Sequence, residues 1–255
     1  MTVSCVSWRS GVVKLNGLLY NMRGYKLICC ITVVLLLMSC SQGNKGPYLP
    51  GSIVPEKILK STDPEAFFTC QEIPDTIFDL MQGRSYKEDC TVPRSDLRYL
   101  LILHCNFEGQ AQVGEMVVNK SIASDVLEIM EALYNELYPI EKVRLIDYYD
   151  ADDERSMADN NTSCFNWRTI SGSDQVSKHA LGMAIDINPL YNPYYKFVSG
   201  KEIVQPVEAE EYVDRMSGYP YQIEEDDICY NLFVSHGFKW GGSWHSAKDY
   251  QHFEK

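Results

Sequence analysis

The stretch SKHALGMAIDIN, Ser177 to Asn188, constrains this chain more than any other. It sets Asp186 between Ile185 and Ile187, in apolar surroundings. A carboxylate buried in such surroundings is costly unless hydrogen bonds or a positive group satisfy it. His179 stands upstream, with Gly182 between the two. Glycine accepts the left-handed backbone of a tight turn, so two short adjacent segments can present both side chains to one point. If Asp186 lies on a strand, Ile185 and Ile187 point to the opposite face, and the acid is shielded without being stranded. Either the pair is a local salt bridge, or both groups share a third partner.

The chain ahead of this stretch divides into a leader and a domain. Leu27–Met38 is an apolar run of 12 residues, shorter than the roughly 18 residues a membrane-spanning helix needs. Arg23 and Lys26 precede it, and LMSC, Leu37 to Cys40, closes it. A basic flank, a short apolar run and small residues read as an export signal. This order resembles a bacterial lipoprotein signal, in which the cysteine, here Cys40, is lipidated and becomes the first residue. The pattern starts cleanly at Met22, so residues 22–40 are the expected signal peptide and residues 1–21 an over-long gene start. Residues 41–70, which open rich in Gly, Pro and Ser, read as a tether. Residues 71–255 are then one domain.

Charge and cysteines narrow the class. The chain has 35 acidic against 23 basic residues, a net charge of −12. Four of the basic ones (Arg9, Lys14, Arg23 and Lys26) precede Cys40, so the domain is more acidic still. Such a surface repels phosphate backbones, which excludes nucleic acid as a partner. It also leaves the lipid itself as the anchor on a membrane. Of nine cysteines, five lie beyond Cys40: Cys70, Cys90, Cys105, Cys164 and Cys229. An exported protein can oxidise them, and an odd number leaves at least one unpaired. Cys70 and Cys90 flank an expected helix and are the pair expected to bridge. No CxxC pair suggests a cysteine zinc knuckle.

Periodicity then assigns elements. Pro74–Gly83 reads as a short helix, with Pro74 and Asp75 suiting its first turn and Gly83 its stop. Leu97–Phe107 is an apolar run expected to be a strand. Val126, Met130, Leu133 and Leu137 recur at helical spacing, so a helix buries that stripe until Pro139. Glu141–Tyr149 alternates as a strand would, and an acidic loop follows. Ile223–Gly237 is a further helix, with acids in its first turn, Ile228, Leu232 and Phe233 facing inward, and Gly237 ending it. Helices and short strands mix without regular βαβ alternation. The expected class is α+β, a small antiparallel sheet with flanking helices.

The five histidines are His104, His179, His236, His245 and His252. A zinc hydrolase needs three protein ligands and one open position for water. His179 and Asp186 are the tightest candidates, and the third must come from elsewhere. DYQHFE, Asp249 to Glu254, offers His252, with Asp249 three residues earlier to take and hand on a proton. His104, inside an apolar run, reads as a satisfied core histidine, and His236 and His245 are not expected as ligands.

SKHALGMAIDIN matches the S-x-H-x-x-G-x-A-x-D pattern of the zinc D-alanyl-D-alanine carboxypeptidases, the VanY-type peptidases. The tail GFKWGGSWHSAKDYQHFE resembles the closing motif of their endolysin-like L-alanyl-D-glutamate peptidase branch. NTSCFNWR, Asn161 to Arg168, and GEMVVNKSIA, Gly114 to Ala123, agree in the right order. The resemblance spans roughly residues 72–255 and implies the compact α+β fold shared with hedgehog signalling domains. It implies one zinc ion per chain, held by His179, Asp186 and His252. It makes Asp249 the acid/base, Arg168 the group that polarises the scissile carbonyl, and Ser177 a neighbour of the substrate terminus. Many members carry Glu where Asp249 stands; the endolysin-like branch uses Asp. Trp240 and Trp244, around Gly241 and Gly242, read as core or as walls of the substrate cleft, and both are carried as substrate-binding candidates.

The resemblance implies a metallopeptidase acting on peptidoglycan stem peptides. It would be a D,D- or L,D-carboxypeptidase, or an endopeptidase on an L-Ala–D-Glu-type bond. The expected setting is a monomer exported and lipid-anchored to a bacterial membrane, on its periplasmic or cell-surface side. The rival is a cell-wall-binding lipoprotein that keeps the peptidase fold without turnover.

Overall fold

The structure, a computed structural model, describes residues 48–170 and 173–255. The leader, Cys40 and the first residues of the expected tether lie outside these. The described residues belong to one compact unit, Gly46–Lys255. Its elements mix helix and antiparallel sheet, as an α+β chain does.

In chain order these are α1 (Glu56–Leu59), β1 (Thr69–Gln71), α2 (Asp75–Met81), β2 (Leu97–Cys105), β3 (Ala111–Asn119), α3 (Ala123–Asn135) and β4 (Lys142–Val143). Then follow α4 (Asp153–Ala158), β5 (Asn161–Thr162), β6 (Ala184–Asp186), β7 (Tyr194–Val198) and β8 (Lys201–Gln205). The chain closes with α5 (Ile228–Ser235), β9 (Lys239–Trp240), β10 (Lys248–Asp249) and β11 (His252–Glu254). Instead of one small sheet, the described residues form three three-stranded antiparallel sheets, ordered β1-β2-β3, β10-β7-β8 and β6-β11-β9, and a two-stranded parallel ladder of β4 and β5.

The first sheet is the scaffold. β2 and β3 pair along their full length, from Leu97 opposite Asn119 to Cys105 opposite Ala111. Asn106 builds the connection, its Oδ1 accepting from the N–H groups of Glu108 and Gln110. α3 lies across β2 and buries Val126, Ile129, Met130 and Leu133, the helical stripe. Leu137 departs from that stripe: it is 68% exposed with φ +54°. The helix ends in a Schellman-type turn, with Tyr138 N–H on Leu133 O and Leu137 N–H on Tyr134 O, so Leu137 takes the left-handed position outside.

Other expectations need correction. Glu141–Tyr149 is a strand only at Lys142–Val143. Leu145, Ile146 and Asp147 are buried in succession, which alternation forbids, and the chain coils so that Asp147 Oδ1 accepts from Ser85 N–H at 3.1 Å. The acidic loop contains α4, capped by Asp152 on Arg155 N–H. The last helix starts at Ile228 rather than Ile223, because Asp227 caps it, and Ile228 is 42% exposed while Cys229 and Phe233 turn inward. Residues 48–70 are no free tether: Gly51 N–H bonds Val113 O at 2.7 Å and Val54 is buried against Leu103 and Val113. Cys70 and Cys90 form no bridge. Both are free thiols, Cys70 exposed on β1 and the Cys90 thiol turned to Val92 O. No helix of the described residues is long and apolar enough to cross a membrane.

Candidate metal centre

The stretch Ser177–Asp186 and the distant strand His252–Glu254 meet at one point. Ser177 Oγ accepts from His179 N–H at 3.2 Å and fixes the start of the 3-10 turn His179–Leu181. Gly182 closes that turn at φ +66°, where a Cβ would lie 2.7 Å from Asn119 N. Only glycine fits so close to the end of β3 in that conformation. The chain then enters β6. Its partner β11 sets Phe253 opposite Ile185 in the core and His252 opposite Asp186 on the other face. Directly opposed residues of an antiparallel pair share a face, so the pairing brings imidazole and carboxylate together.

His179 Nε2 lies 3.2 Å from Asp186 Oδ2, His252 Nδ1 3.1 Å from Asp186 Oδ1, and the two nitrogens 3.1 Å from each other. Ligand bonds of about 2.0–2.1 Å in a tetrahedron put neighbouring ligand atoms about 3.3 Å apart, close to this spacing. The outer nitrogens are already engaged. His179 Nδ1–H donates to Cys164 O at 2.7 Å, and His252 Nε2 faces Glu254 Oε2 at 3.4 Å. Outer acceptors of this kind fix the tautomer of metal-binding histidines. Two neutral rings so held aim two lone pairs and a carboxylate at one spot. That donor set fits a zinc ion.

Burial disfavours the His252 imidazolium, but hydrogen bonds to Asp186 and Glu254 and the charge of Asp249 overcome it and raise its pKa. Burial would raise Asp186, yet the charge and hydrogen bonds of His179, with those of His252, hold its carboxyl well below the usual range.

Asp249 lies on β10 beside this cluster, with Gly241 packed against it. A Cβ at Gly241 would sit 2.6 Å from Asp249 O and 3.3 Å from His252 Cβ. Asp249 Oδ1 is buried with no hydrogen-bond partner among the described residues. Burial pushes its carboxyl up to about 7; His252 and Arg168 oppose this, while Asp186 and Glu254 add to it. Such a group exchanges a proton near neutral pH. Tyr194, opposite Asp249 on β7, has its phenol pushed up by burial and by that carboxylate.

The remaining candidates fall in different places. Arg168 forms an ion pair with Asp153 at the start of α4, and Asp153 also accepts from Asn166 Nδ2 at 3.0 Å. It lines a cleft of ≈ 390 Å³ with Lys87, Trp167 and Val176. Ser177 is buried and serves the His179 turn, so the expected place at a substrate terminus becomes a positioning one. Trp240 is 6% exposed, donates from Nε1 to Tyr250 O and stacks on Phe253: a core residue whose edge reaches an apolar hollow of ≈ 330 Å³. Trp244 lines the same hollow and stands over His252, with ring centroids 5.4 Å apart. His104 is the expected core histidine, bonded through Nδ1 to Ile140 O and pushed down to about 4 by burial. His236 and His245 stay outside the cluster. Glu254 was missed, although its alternation with His252 on one strand was visible in the sequence as H-x-E.

Residues 171–255, the last third of the chain, match a family model described as D-alanyl-D-alanine carboxypeptidase. The matched segment contains His179, Asp186, Asp249 and His252; Arg168 and Gly114–Ala123 precede it. No curated protein and no solved structure matches the chain.

Proposed function

We propose that this chain is a zinc-dependent peptidase that hydrolyses peptidoglycan stem peptides, as a D,D- or L,D-carboxypeptidase or an L-Ala–D-Glu-type endopeptidase. The observation that carries this reading is the convergence of His179, Asp186 and His252, with the outer nitrogens of both rings already engaged. The family-model match over residues 171–255 supports the peptidase class. The hedgehog-type architecture implied by the sequence resemblance belongs to the same proposal.

His179, Asp186 and His252 would hold the ion. Bound zinc lowers the pKa of a water to about 7 and polarises a carbonyl. Asp249, beside the cluster on β10 with its Oδ1 buried and unpartnered, accepts the proton of the attacking water and passes it to the departing nitrogen, a role worth about 10²–10⁴ in rate. Arg168, once released from Asp153, offers its guanidinium to the developing oxyanion. Trp244 shields the His252 side of the site from water.

The pairing of Arg168 with Asp153 favours a second reading, a wall-binding protein without turnover. Asp249, whose Oδ1 is buried and unpartnered beside the cluster, weighs against it. In either case the protein is exported and held by lipid on Cys40. Labelling with palmitate should mark the wild type and not Cys40→Ala.

The deciding experiment is digestion of muropeptides by the purified protein, with mass spectrometry of the products and metal analysis of the same sample. One zinc per chain and cleavage that stops with chelator are expected; the product masses name the bond. Full activity after complete metal removal overturns the zinc mechanism. Bound muropeptide with no cleavage of any of them leaves the wall-binding reading.

A further inference from the structure

The sheet that carries Asp249 extends well past the candidate site. Asp249 of β10 opposes Tyr194 of β7, which opposes Gln205 of β8. Further along the hairpin, Lys196 opposes Ile203 and Val198 opposes Lys201. Opposed residues share a face and alternate residues return to it. One face therefore carries Asp249, Tyr194, Lys196, Ile203, Val198 and Lys201 in sequence outward. The other carries Phe197 and Tyr195 with Glu202, whose carboxylate accepts from the Tyr195 hydroxyl at 3.3 Å.

The face shared with Asp249 has the wrong charge for this protein. The chain has a net charge of −12, yet beyond Asp249 the ionisable groups along this face are Tyr194 and two lysines. The lysine ion pairs of the described residues belong to Lys60, Lys120, Lys142 and Lys255, none to Lys196 or Lys201. Val198 and Ile203 beside them are 38% and 43% exposed. At about 3.3 Å per strand residue, Lys196 stands about 7 Å and Lys201 about 13 Å from the Asp249 level. That is the reach of two to four residues of extended peptide, at about 3.3–3.6 Å each.

We propose that this sheet face is a substrate platform for an extended acidic peptide, whose carboxylates pair with Lys196 and Lys201 and whose apolar side chains lie on Val198 and Ile203. It rests on the peptidase reading for the bond that breaks, and names what the rest of the substrate must carry. The platform is continuous with Asp249 and complementary in sign to its ligand.

The test compares a stem peptide bearing free side carboxylates with the same peptide amidated, on the full-length protein and on Lys196→Gln, Lys201→Gln and the double variant. The wild type should take the carboxylate form with a KM about five- to tenfold lower, what two exposed ion pairs supply. That preference should fade with salt. The double variant should lose it at unchanged kcat and zinc content. Equal KM values for the two peptides in the wild type, or a preference that survives in the double variant, overturn the proposal. Calorimetric titration of both peptides reads the same preference without turnover. Lysine-dependent binding without any cleavage therefore sinks the peptidase reading and keeps the platform, whereas cleavage with no preference does the reverse.

Discussion

The β2–β3 hairpin with α3 and the metal-centre strands β6, β10 and β11 stabilise themselves by opposite means. The first pairs two full-length strands and covers them with an apolar helix face. Most of its stability is area removed from water; its buried polar exceptions, His104 and Glu115, are held by Ile140 O and by Tyr99 and Arg144. The second uses strands of two or three residues, with His179, His252 and Gln251 buried. Such groups stabilise only as a complete set, since each left unpaired costs desolvation. The two meet where Asn119, ending β3, donates its backbone N–H to Gly182 O at 2.8 Å and its Nδ2 to Leu181 O at 3.0 Å. The scaffold thus clamps the turn that aims His179.

Substitutions in the two regions should separate cleanly. His252→Ala should abolish activity and take bound zinc from about one ion per chain to none, while circular dichroism shows the hairpin and α3 intact. Retained stoichiometric zinc in this variant would break the distinction, because a cluster that works as a set cannot lose a member. Asp249→Asn comes next, with activity down about 10²- to 10⁴-fold and zinc retained.

The same variant should act on stability with the opposite sign. The Asp249 carboxyl titrates near about 7 in the metal-free fold, against about 3.9 in an unfolded chain. Between those values the folded state binds the extra proton, so wild-type stability falls as pH rises through the window. Asparagine has no such proton. The metal-free variant should therefore gain thermal stability over wild type from pH 4 to 8, read by melting curves.

Ile129→Ala probes the scaffold. Its buried side chain leaves a cavity that costs about 2–5 kcal/mol in denaturant unfolding, with kcat per folded molecule unchanged. A change in kcat would show that the clamp at Asn119 transmits core packing into the site. The smallest effect is expected for Glu254→Gln, which weakens the outer hold on His252 and lowers zinc affinity about 10- to 100-fold in a chelator competition.

What could be read in advance follows the same division. Val126, Met130 and Leu133 announced α3 because a long element repeats its burial pattern. Leu137 broke the pattern because a helix end is set by local turn geometry that periodicity does not encode. Leu145 to Asp147 misled for a related reason: the entry to the 3-10 helix Ile146–Tyr149 reads as alternation until the partner of Asp147, here Ser85, is known. At the candidate metal centre the family resemblance and its motifs nominated His179, Asp186 and His252, and the fold brings the three side chains together. Arg168 and Ser177 were placed by resemblance alone, and what each touches depended on Asp153 and on a backbone N–H. The fit of zinc rests on Cys164 O and Glu254 as well, partners that only the folded chain brings together.

Because His252 and Asp186 are register partners on β11 and β6, the ladder itself measures the gap between two candidate metal ligands. Sliding β11 by one residue would rotate His252 into the apolar layer and thrust Phe253 at the cation. The strand's alignment is otherwise set by Phe253, fully buried and stacked on Phe233. An ion seated there would act as a proofreader of strand pairing, and a misaligned chain would betray itself by failing to retain metal.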